Sequence, residues 1–360
     1  MKVLALNSSA RTGGQSKTEI LLDHFVKGMR AAGADVEVVN LKHKKINHCA
    51  GCFNCWTKTP GVCAHKDDMS KEMLPKFLEA DVVVLASPLF HYHVNARMKT
   101  FIERTLPVML PFLQPVGEAT THPLRDKHPG IVLISVAGFP EMSVFDALSF
   151  WAKKTYGRSG ALLAEIYRPA AEAMIHSGRH SGILAAMEQA GVEIVKSRSI
   201  SSETMDCITQ PITDPETINV MSNLAWQTMI DKKTTMAEAS RKGDRLRPNS
   251  IETLMAMLSL AFNPQKADGK KGTLQFNLTG EHPGDCYFSI ENGYLKSFKG
   301  KSGKAECVVD TPFEVWADII EGKADGAKAF MDGKYRAEGD ISLMMVFGDN
   351  ENIAETRASR

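Results

Sequence analysis

The sequence has neither an excess of charge of one sign nor a long apolar run. Lysine and arginine number 43 against 42 aspartates and glutamates, a net charge of +1, so the charge balance does not suggest a nucleic acid or an anionic membrane as partner. No apolar run approaches the roughly 20 residues of a membrane-spanning helix, and the N-terminus has no signal-peptide pattern. We therefore expect a soluble, cytoplasmic protein.

The compositional extremes that mark other protein classes are also missing. A hydrophobic fraction of 43% and a charged fraction of 24% are typical of globular proteins. They exclude wholesale disorder, collagen-like or coiled-coil architecture and a disulfide-dense small scaffold. A chain of 360 residues exceeds one ordinary core, and at about 150 residues per domain it predicts two or three domains.

Residues 1–235 form the first predicted domain, in which apolar strands alternate with amphipathic helices. Strands are predicted at residues 2–6, 36–39, 81–86, 130–136 and 161–167, with helical spacing at 20–29 and 98–106. This alternation favours an α/β fold with a parallel sheet covered by helices on both faces. Ligands of such sheets bind at the carboxyl ends of the strands.

The pattern changes after residue 235. Residues 236–250 are polar, charged and interrupted by proline and glycine, which predicts a linker. Residues 251–350 combine an amphipathic helix, alternating strands, an Asn292-Gly293 hairpin signal and two short helices that end at Gly322 and Gly333. They predict a smaller α+β domain, and residues 351–360 a frayed polar tail.

The loop after the first strand, NSSARTGGQSKT (residues 7–18), is rich in serine, glycine and threonine. Backbone N–H groups at such a strand-to-helix junction favour an anion, and Ser9, Arg11, Ser16 and Thr18 are suited to contact a phosphate. The loop contains neither G-x-G-x-x-G nor G-x-x-x-x-G-K-[ST]. A glycine-rich turn with helix-capping serines is the alternative interpretation.

Four of the seven cysteines lie within residues 49–63: Cys49, Cys52, Cys55 and Cys63. Two-residue spacings let successive thiolates converge, as in the loops that hold 4Fe–4S clusters. Zinc is the main alternative because four thiolates also suit a tetrahedral site, although zinc ligands more often form two separated pairs. A covering loop without metal is the third interpretation.

The first loop, the cysteine run and the segment SPLFHYHVNARMKTFIER (residues 87–104) resemble the flavodoxin-like NADPH-dependent FMN reductase family and, within it, the iron–sulfur flavoproteins. The resemblance covers roughly the first two-thirds of the chain, and Ala10 stands where the family usually has proline. It implies a flavodoxin-like, doubly wound, five-stranded parallel sheet and FMN as cofactor. The implied phosphate contacts are Ser9, Arg11, Ser16 and Thr18. The implied isoalloxazine contacts are Pro88, Leu89, Phe90, His91 and Asn95 on one side and Ala137 and Gly138 on the other.

The resemblance also implies a flavin oxidoreductase. Such an enzyme passes electrons from NAD(P)H, or from ferredoxin through a cluster, to an acceptor. No side chain stands out as a general acid, base or nucleophile, and His91 is the one candidate for donating to reduced flavin. The family further implies a homodimer or homotetramer with flavin near a subunit interface.

The second domain resembles a sterol carrier protein domain in Phe276-x-Leu278, the Asn292-Gly293 hairpin and residues 311–340. That family encloses an apolar tunnel for a lipid between a five-stranded sheet and helices. The residues here that would line it are Phe313, Trp316, Ile319, Phe330, Met331, Leu343 and Met344. Apolar residues at helical spacing are equally typical of an ordinary core.

The fusion of the two domains suggests a hydrophobic acceptor such as a quinone, a sterol or another lipid. Two other functions remain open. One is a lipid-binding protein whose flavodoxin-like domain senses redox state or acts as a scaffold. The other is a flavodoxin-like interaction module held together by zinc.

Overall fold

The computed structural model describes residues 1–11, 13–117, 119–175, 177 and 179–347. This part of the chain divides into two compact units. The first comprises Met1–Ala171 and Gly182–Gln210, and the second comprises Glu172–Ser181 and the residues from Pro211 onward. The predicted tail, residues 351–360, lies outside the described residues. Within the described ranges, no helix has both the length and the apolar character needed to cross a bilayer.

A parallel sheet forms the centre of the first unit. The strands of this unit are β1 (Lys2–Asn7), β2 (Asp35–Asn40), β3 (Val82–Phe90), β4 (His93–Val94), β5 (Gln114–Val116), β6 (Ala119–Thr121), β7 (Gly130–Val136) and β8 (Leu162–Arg168). Five of them run parallel in the order β2-β1-β3-β7-β8. Strand β4 pairs with the end of β3, and β5 and β6 form a separate hairpin. The predicted flavodoxin-like sheet is confirmed, and its order reverses between β1 and β3.

Helices cover both faces of this sheet. The helices up to residue 210 are α1 (Lys17–Ala31), α2 (Leu74–Glu79), α3 (Ala96–Glu103), α4 (Asp146–Ala152), α5 (Ala171–Met174), α6 (His180–Ser197) and α7 (Ser202–Thr209). Most of α5 belongs to the second unit, which includes Glu172–Ser181. Short 3₁₀ turns occur at Leu41–His43, Leu106–Val108 and Met142–Phe145, and π-helical turns at Met69–Met73 and Lys153–Gly157. On one face, Leu85 and Leu133 pack with residues of α2, α3 and α4. The alternate residues Val84 and Ile134 are also fully buried, as expected for strands with two covered faces.

Helices α1 and α6 approach each other closely at two glycines. A Cβ on Gly28 would lie 1.8 Å from the carbonyl oxygen of Glu188, and one on Gly191 would lie 2.0 Å from that of Phe25. Such contacts need glycine on both helices because any larger residue would force the backbones apart. The Glu188 carboxylate also pairs with Lys27 at 2.8 Å, next to the crossing.

The second unit contains a five-stranded sheet. Its strands are β9 (Gly272–Thr279), β10 (Gly284–Glu291), β11 (Tyr294–Lys299), β12 (Cys307–Pro312) and β13 (Arg336–Gly339), in the order β11-β10-β9-β12-β13. Its helices are α8 (Pro215–Asp231), α9 (Met236–Lys242), α10 (Ile251–Ala261), α11 (Phe313–Glu321) and α12 (Gly326–Met331), with a 3₁₀ turn at Ile341–Val346. The predicted hairpin is confirmed: Glu291 pairs with Tyr294, and the φ angles of Asn292 and Gly293 are 52° and 73°.

The structure differs from the sequence-based division between residues 211 and 250. Residues 211–235, which we assigned to the first domain, belong to the second unit, where α8 packs against α10. The segment 236–250, which we interpreted as a linker, begins with helix α9. Thr235 and Glu238 form a capping box at its start. An exposed helix has the same polar composition as a linker, so composition alone did not separate the two, although the T-x-x-E pattern is a helix-start signal.

We expect Gly191→Ala to lower the free energy of unfolding of the first unit by about 1–3 kcal/mol or more, because the added methyl group meets backbone atoms that cannot move aside. Urea unfolding measures the change. The matched control is Gly182→Ala on the same helix, where a Cβ meets nothing within 4 Å. It should raise stability by up to about 0.5–1 kcal/mol. Equal effects of the two substitutions would contradict the close packing of α1 and α6.

Candidate functional site

The loop between β1 and α1 lies at the carboxyl edge of the parallel sheet. The Asn7 side chain accepts a hydrogen bond from the Ser9 N–H at 3.0 Å, and the Ser16 hydroxyl donates to the Ser9 hydroxyl at 2.8 Å. Ser16 is also the N-cap of α1, accepting from the Glu19 N–H at 3.2 Å. Ser9, Ser16 and Thr18 are buried, whereas Arg11 is exposed. The three hydroxyls predicted to contact phosphate therefore lie together at the N-terminus of α1. Ser16 also caps this helix, which was the alternative role for the serines of the loop.

Two consecutive glycines shape this loop. Gly13 and Gly14 have φ angles of 70° and 77°, a left-handed conformation that glycine adopts without steric cost. A Cβ at Gly13 would meet nothing within 4 Å, so backbone conformation, and not lack of space, is what requires glycine. The Gly14 N–H donates to the Glu19 carboxylate at 3.2 Å.

Asn95 ties the ends of β1 and β3 together. Its side-chain N–H donates to the Ser8 carbonyl at 2.8 Å, its backbone N–H donates to the Ser87 hydroxyl at 3.0 Å, and its side-chain oxygen accepts from the Met98 N–H at 3.1 Å. The last bond makes Asn95 the N-cap of α3. Ser8, Ser87 and Asn95 are all buried. Asn95, predicted as a flavin contact, thus also holds this edge in shape through Ser8 and Ser87, neither of which was among the predicted site residues.

The predicted isoalloxazine contacts Pro88, Leu89, Phe90 and His91 lie on the β3–β4 hairpin. Its two turn residues, His91 and Tyr92, have φ angles of 49° and 60°. A two-residue turn with both φ angles positive normally uses glycine or asparagine, and a left-handed residue with a side chain costs roughly 1–2 kcal/mol. Phe90 and His91 are exposed, and Pro88 and Leu89 are half-buried.

Ala137 and Gly138 reach the same edge of the sheet. Pro88 pairs with Val136 in the β3–β7 register, so both residues follow directly after the paired position. Ala137 is buried and its N–H donates to the Arg168 carbonyl at 3.0 Å, whereas Gly138 is exposed. The structure thus gathers the first loop, the β3–β4 hairpin and the Ala137-Gly138 loop around the point where the sheet order reverses.

The four cysteines of the run are free thiols that line one cavity, which is open to solvent. Cys55 is buried, and burial, followed by the neighbouring Cys63 thiol, raises the pKa of Cys55. Among the residues that the structure describes, no three His, Cys, Asp or Glu side chains lie close enough together to hold a single metal ion. The four thiols share a cavity without forming a compact site for one ion.

A buried ion pair that sequence analysis did not identify adjoins this cavity. The Arg104 guanidinium donates to both carboxylate oxygens of Asp67, at 2.8 and 3.0 Å, and the two side chains are only 1% and 3% exposed. Arg104 lines the cavity together with the four cysteines. It is the last residue of the recognised segment 87–104, but its sequence context does not reveal a partner 37 residues away.

Asp67 also secures both ends of the cysteine loop. It accepts from the backbone N–H groups of Asn47 at 2.8 Å and Ser70 at 3.3 Å. Burial opposes the ionised form, but the hydrogen bonds from Arg104 and from the backbone outweigh it and lower the pKa of Asp67 below its usual range. Burial likewise disfavours the charge on Arg104, yet Asp67 and Cys63 together raise the pKa of Arg104.

The candidate tunnel residues of the second unit divide by exposure. Phe313, Trp316 and Leu343 are buried in the apolar core of the unit, and Ile319 and Met344 pack against that core. Phe330 is 40% exposed and Met331 is 78% exposed. Both side chains therefore lie at the surface of α12 and not in the interior where we expected them, and the residue that this helix buries is Ala329.

Comparison with known proteins matches two separate regions of the chain. Residues 1–148 match the family described as NADPH-dependent FMN reductase, and residues 252–349 match the SCP-2 sterol transfer family. An iron-sulfur flavoprotein of Archaeoglobus fulgidus is 38% identical over 142 residues, which cover 39% of this chain and 58% of that protein. An FMN-dependent NADH:quinone oxidoreductase of Pseudomonas putida is 32% identical over 111 residues, covering 29% and 54%. The chain thus spans little more than half the length of these curated relatives.

Solved structures also match each of the two regions. An azoreductase from Bacillus anthracis has a TM-score of 0.40 at 16% identity and covers 54% of this chain and 98% of its own. The apo form of sterol carrier protein 2 from Yarrowia lipolytica has a TM-score of 0.20 at 23% identity and covers 22% and 72%. Similarities of this size carry no argument about function. The sequence matches show that residues 1–148 of this chain are similar to the NADPH-dependent FMN reductase family and that residues 252–349 are similar to the SCP-2 sterol transfer family.

Proposed function

We propose that the chain is an FMN-dependent oxidoreductase that takes electrons from NAD(P)H and delivers them to an acceptor. The observation that carries this proposal is the convergence of three loops at the edge where the sheet order reverses between β1 and β3. Ligands of open parallel sheets bind at such reversal points. The match of residues 1–148 to NADPH-dependent FMN reductases supports the choice of ligand.

The residues at this edge fit the two ends of FMN. The N-terminus of α1, with the hydroxyls of Ser9, Ser16 and Thr18, suits the phosphate, because helix N-termini and hydroxyl donors favour anions. The half-buried Pro88 and Leu89 offer an apolar surface for the ring. Bound FMN supplies the hydride and single-electron chemistry, while the protein orients it and controls access of water.

We further propose that Cys49, Cys52, Cys55 and Cys63 hold a 4Fe–4S cluster. Four thiols on one cavity match the ligand set of such clusters. The ligands of a cluster bind separate irons, so they need not converge on one point as the ligands of a single zinc ion do. An iron-sulfur flavoprotein among the relatives supports iron over zinc. Such a cluster supplies one-electron storage and would suit a ferredoxin-type donor.

For the second unit we propose binding of a lipid or another hydrophobic molecule, based on its match to the SCP-2 sterol transfer family. A hydrophobic acceptor such as a quinone would link the two activities, and relatives of the first region include proteins named FMN-dependent NADH:quinone oxidoreductase. The dimeric or tetrameric state and the cytoplasmic location stay predictions.

Anaerobic mixing with NADH or NADPH tests the proposed activity directly. We expect the flavin absorbance of the purified full chain to bleach and to recover when a quinone is added. Negligible turnover together with copurified lipid would instead support the lipid-carrier alternative. Colourless protein containing zinc would support the interaction module.

Iron and acid-labile sulfide per bound FMN, measured on protein purified without oxygen, should approach about four irons per flavin. Cys52→Ser should abolish the iron and leave FMN bound, because Cys52 lines the cavity and not the β1–β3 edge. Cys207→Ser, at an exposed thiol on α7, is the matched control and should retain both. Flavin without iron in the unsubstituted protein would make the cysteine run a covering loop.

Ser16→Ala should weaken FMN binding about 10- to 100-fold. The Ser16 hydroxyl proton, which is donated to Ser9 without ligand, would turn to the charged phosphate, and such a hydrogen bond is worth about 1.5–3 kcal/mol. Titration of the apoprotein with FMN, followed by flavin fluorescence, measures the loss. Ser201→Ala is the control, since Ser201 caps α7 in the same way. Both changes should cost about 1 kcal/mol of stability, but Ser201→Ala should leave FMN affinity unchanged. Equal affinities in the two variants would remove Ser16 from the phosphate site.

A further inference from the structure

Arg104 lies directly after α3, where it is the C-cap, and is a charged residue on the cysteine cavity. Its guanidinium makes four hydrogen bonds. Besides the two to Asp67, it donates to the Asn47 carbonyl at 2.7 Å and to the Ser70 hydroxyl at 3.1 Å. Its Nε, which Asp67 does not engage, is buried without a hydrogen-bond partner in the part of the chain that the structure describes. The side chain is therefore held rigidly, but its hydrogen-bonding capacity is not filled.

A gain in stability does not by itself explain why the Arg104–Asp67 pair is buried. Moving two charges out of water costs several kcal/mol per ion, and such pairs are often no better for stability than apolar side chains. A guanidinium also keeps its charge at any physiological pH. The arrangement thus places a permanent positive charge at a fixed position beside four thiols. The negative charge of Asp67 is in turn stabilised by hydrogen bonds from the N–H groups of Asn47 and Ser70.

We propose that Arg104, held by Asp67, is a positioning residue for the iron–sulfur cluster: it anchors the cysteine loop and stabilises the reduced form of the cluster by its buried positive charge. This inference rests on the proposed cluster at Cys49, Cys52, Cys55 and Cys63. Each electron added to a cluster increases its negative charge. Net charge, hydrogen bonds and solvent exposure set cluster potentials, and a charge acts more strongly where water is excluded.

The two contributions of the ion pair are separable. Anchoring depends on the hydrogen bonds that join Asn47, before the first cysteine, and Asp67, after the last. The effect on the potential depends on charge, and here the two partners act in opposite directions. Loss of the Arg104 charge should lower the midpoint potential of the cluster, whereas loss of the Asp67 charge should raise it.

The experiment compares Arg104→Gln, Arg104→Lys and Asp67→Asn with the unsubstituted full chain. Each protein is reconstituted without oxygen using ferrous iron and sulfide. Iron per FMN is counted, and the cluster is titrated potentiometrically with detection by electron paramagnetic resonance. We expect Arg104→Gln to bind less iron and to shift the midpoint potential downward. Arg104→Lys should stay near the unsubstituted value, and Asp67→Asn should shift upward.

Lys71→Gln is the matched control, because Lys71 is an exposed cation four residues after Asp67 and solvent and salt screen its charge. Its potential should not move. If Arg104→Gln fails to retain FMN or native circular dichroism, Arg104→Lys and Asp67→Asn still decide the matter by the value and the sign of their shifts.

Shifts in the same direction for the Arg104→Gln and Asp67→Asn variants, or no shift in either at full iron content, would overturn the electrostatic role. A lysine variant that behaves as the glutamine variant does would also overturn it. If the unsubstituted chain takes up no iron at all, the proposed cluster itself fails and this inference fails with it. Absence of iron can be told apart from a fully loaded cluster whose midpoint potential does not change when Arg104 is substituted.

Discussion

The parallel pairing of β1 with β3 is the contact on which the candidate flavin site depends. It brings Asn7 opposite Ala86, and β2 on the far side of β1 makes the sheet order reverse at this pair. Loops that leave the two strands must diverge to opposite faces, which opens a crevice between them. Asn95 links the two strand ends beside that crevice, because it donates hydrogen bonds to the Ser8 carbonyl and to the Ser87 hydroxyl. The hydrogen bonds that shape the site are therefore consequences of strand order.

The Asp67–Arg104 pair gives the cysteine loop a comparable anchor. The residues between Asn47 and Asp67 contain no strand or α-helix in the described structure. Holding such a loop in one conformation costs conformational entropy. The ion pair compensates by joining both ends of the loop to the end of α3. A further hydrogen bond holds the loop, since the Trp56 indole N–H donates to the Leu106 carbonyl at 3.2 Å. Side chains, not secondary structure, thus define the cavity.

Elements whose conformation depends on one local rule could be predicted from the sequence. The apolar run 130–136 is a strand that is buried along its whole length, and Asn292-Gly293 forms the hairpin turn because both positions need positive φ angles. Elements of ambiguous composition could not be predicted in this way. Helix α9 has the composition of a linker and was predicted as one, because only the capping box of Thr235 and Glu238 distinguishes it. The exposure of Met331 could not be predicted because apolar residues occur on both faces of a short helix.

The sequence by itself determined the α/β and α+β character of the two regions and the strands of the parallel sheet, because these follow from periodicity and turn chemistry. Motif spacing singled out the first loop and the cysteine run, and the family resemblance supplied the candidate contacts to the flavin ring. Only the tertiary structure decided that Asp67 pairs with Arg104, that Asn95 binds Ser8 and Ser87, and that α8 belongs to the second unit. These contacts join residues that are distant along the chain or belong to neighbouring elements. Which such residues meet depends on the packing of whole strands and helices, and no local pattern encodes it.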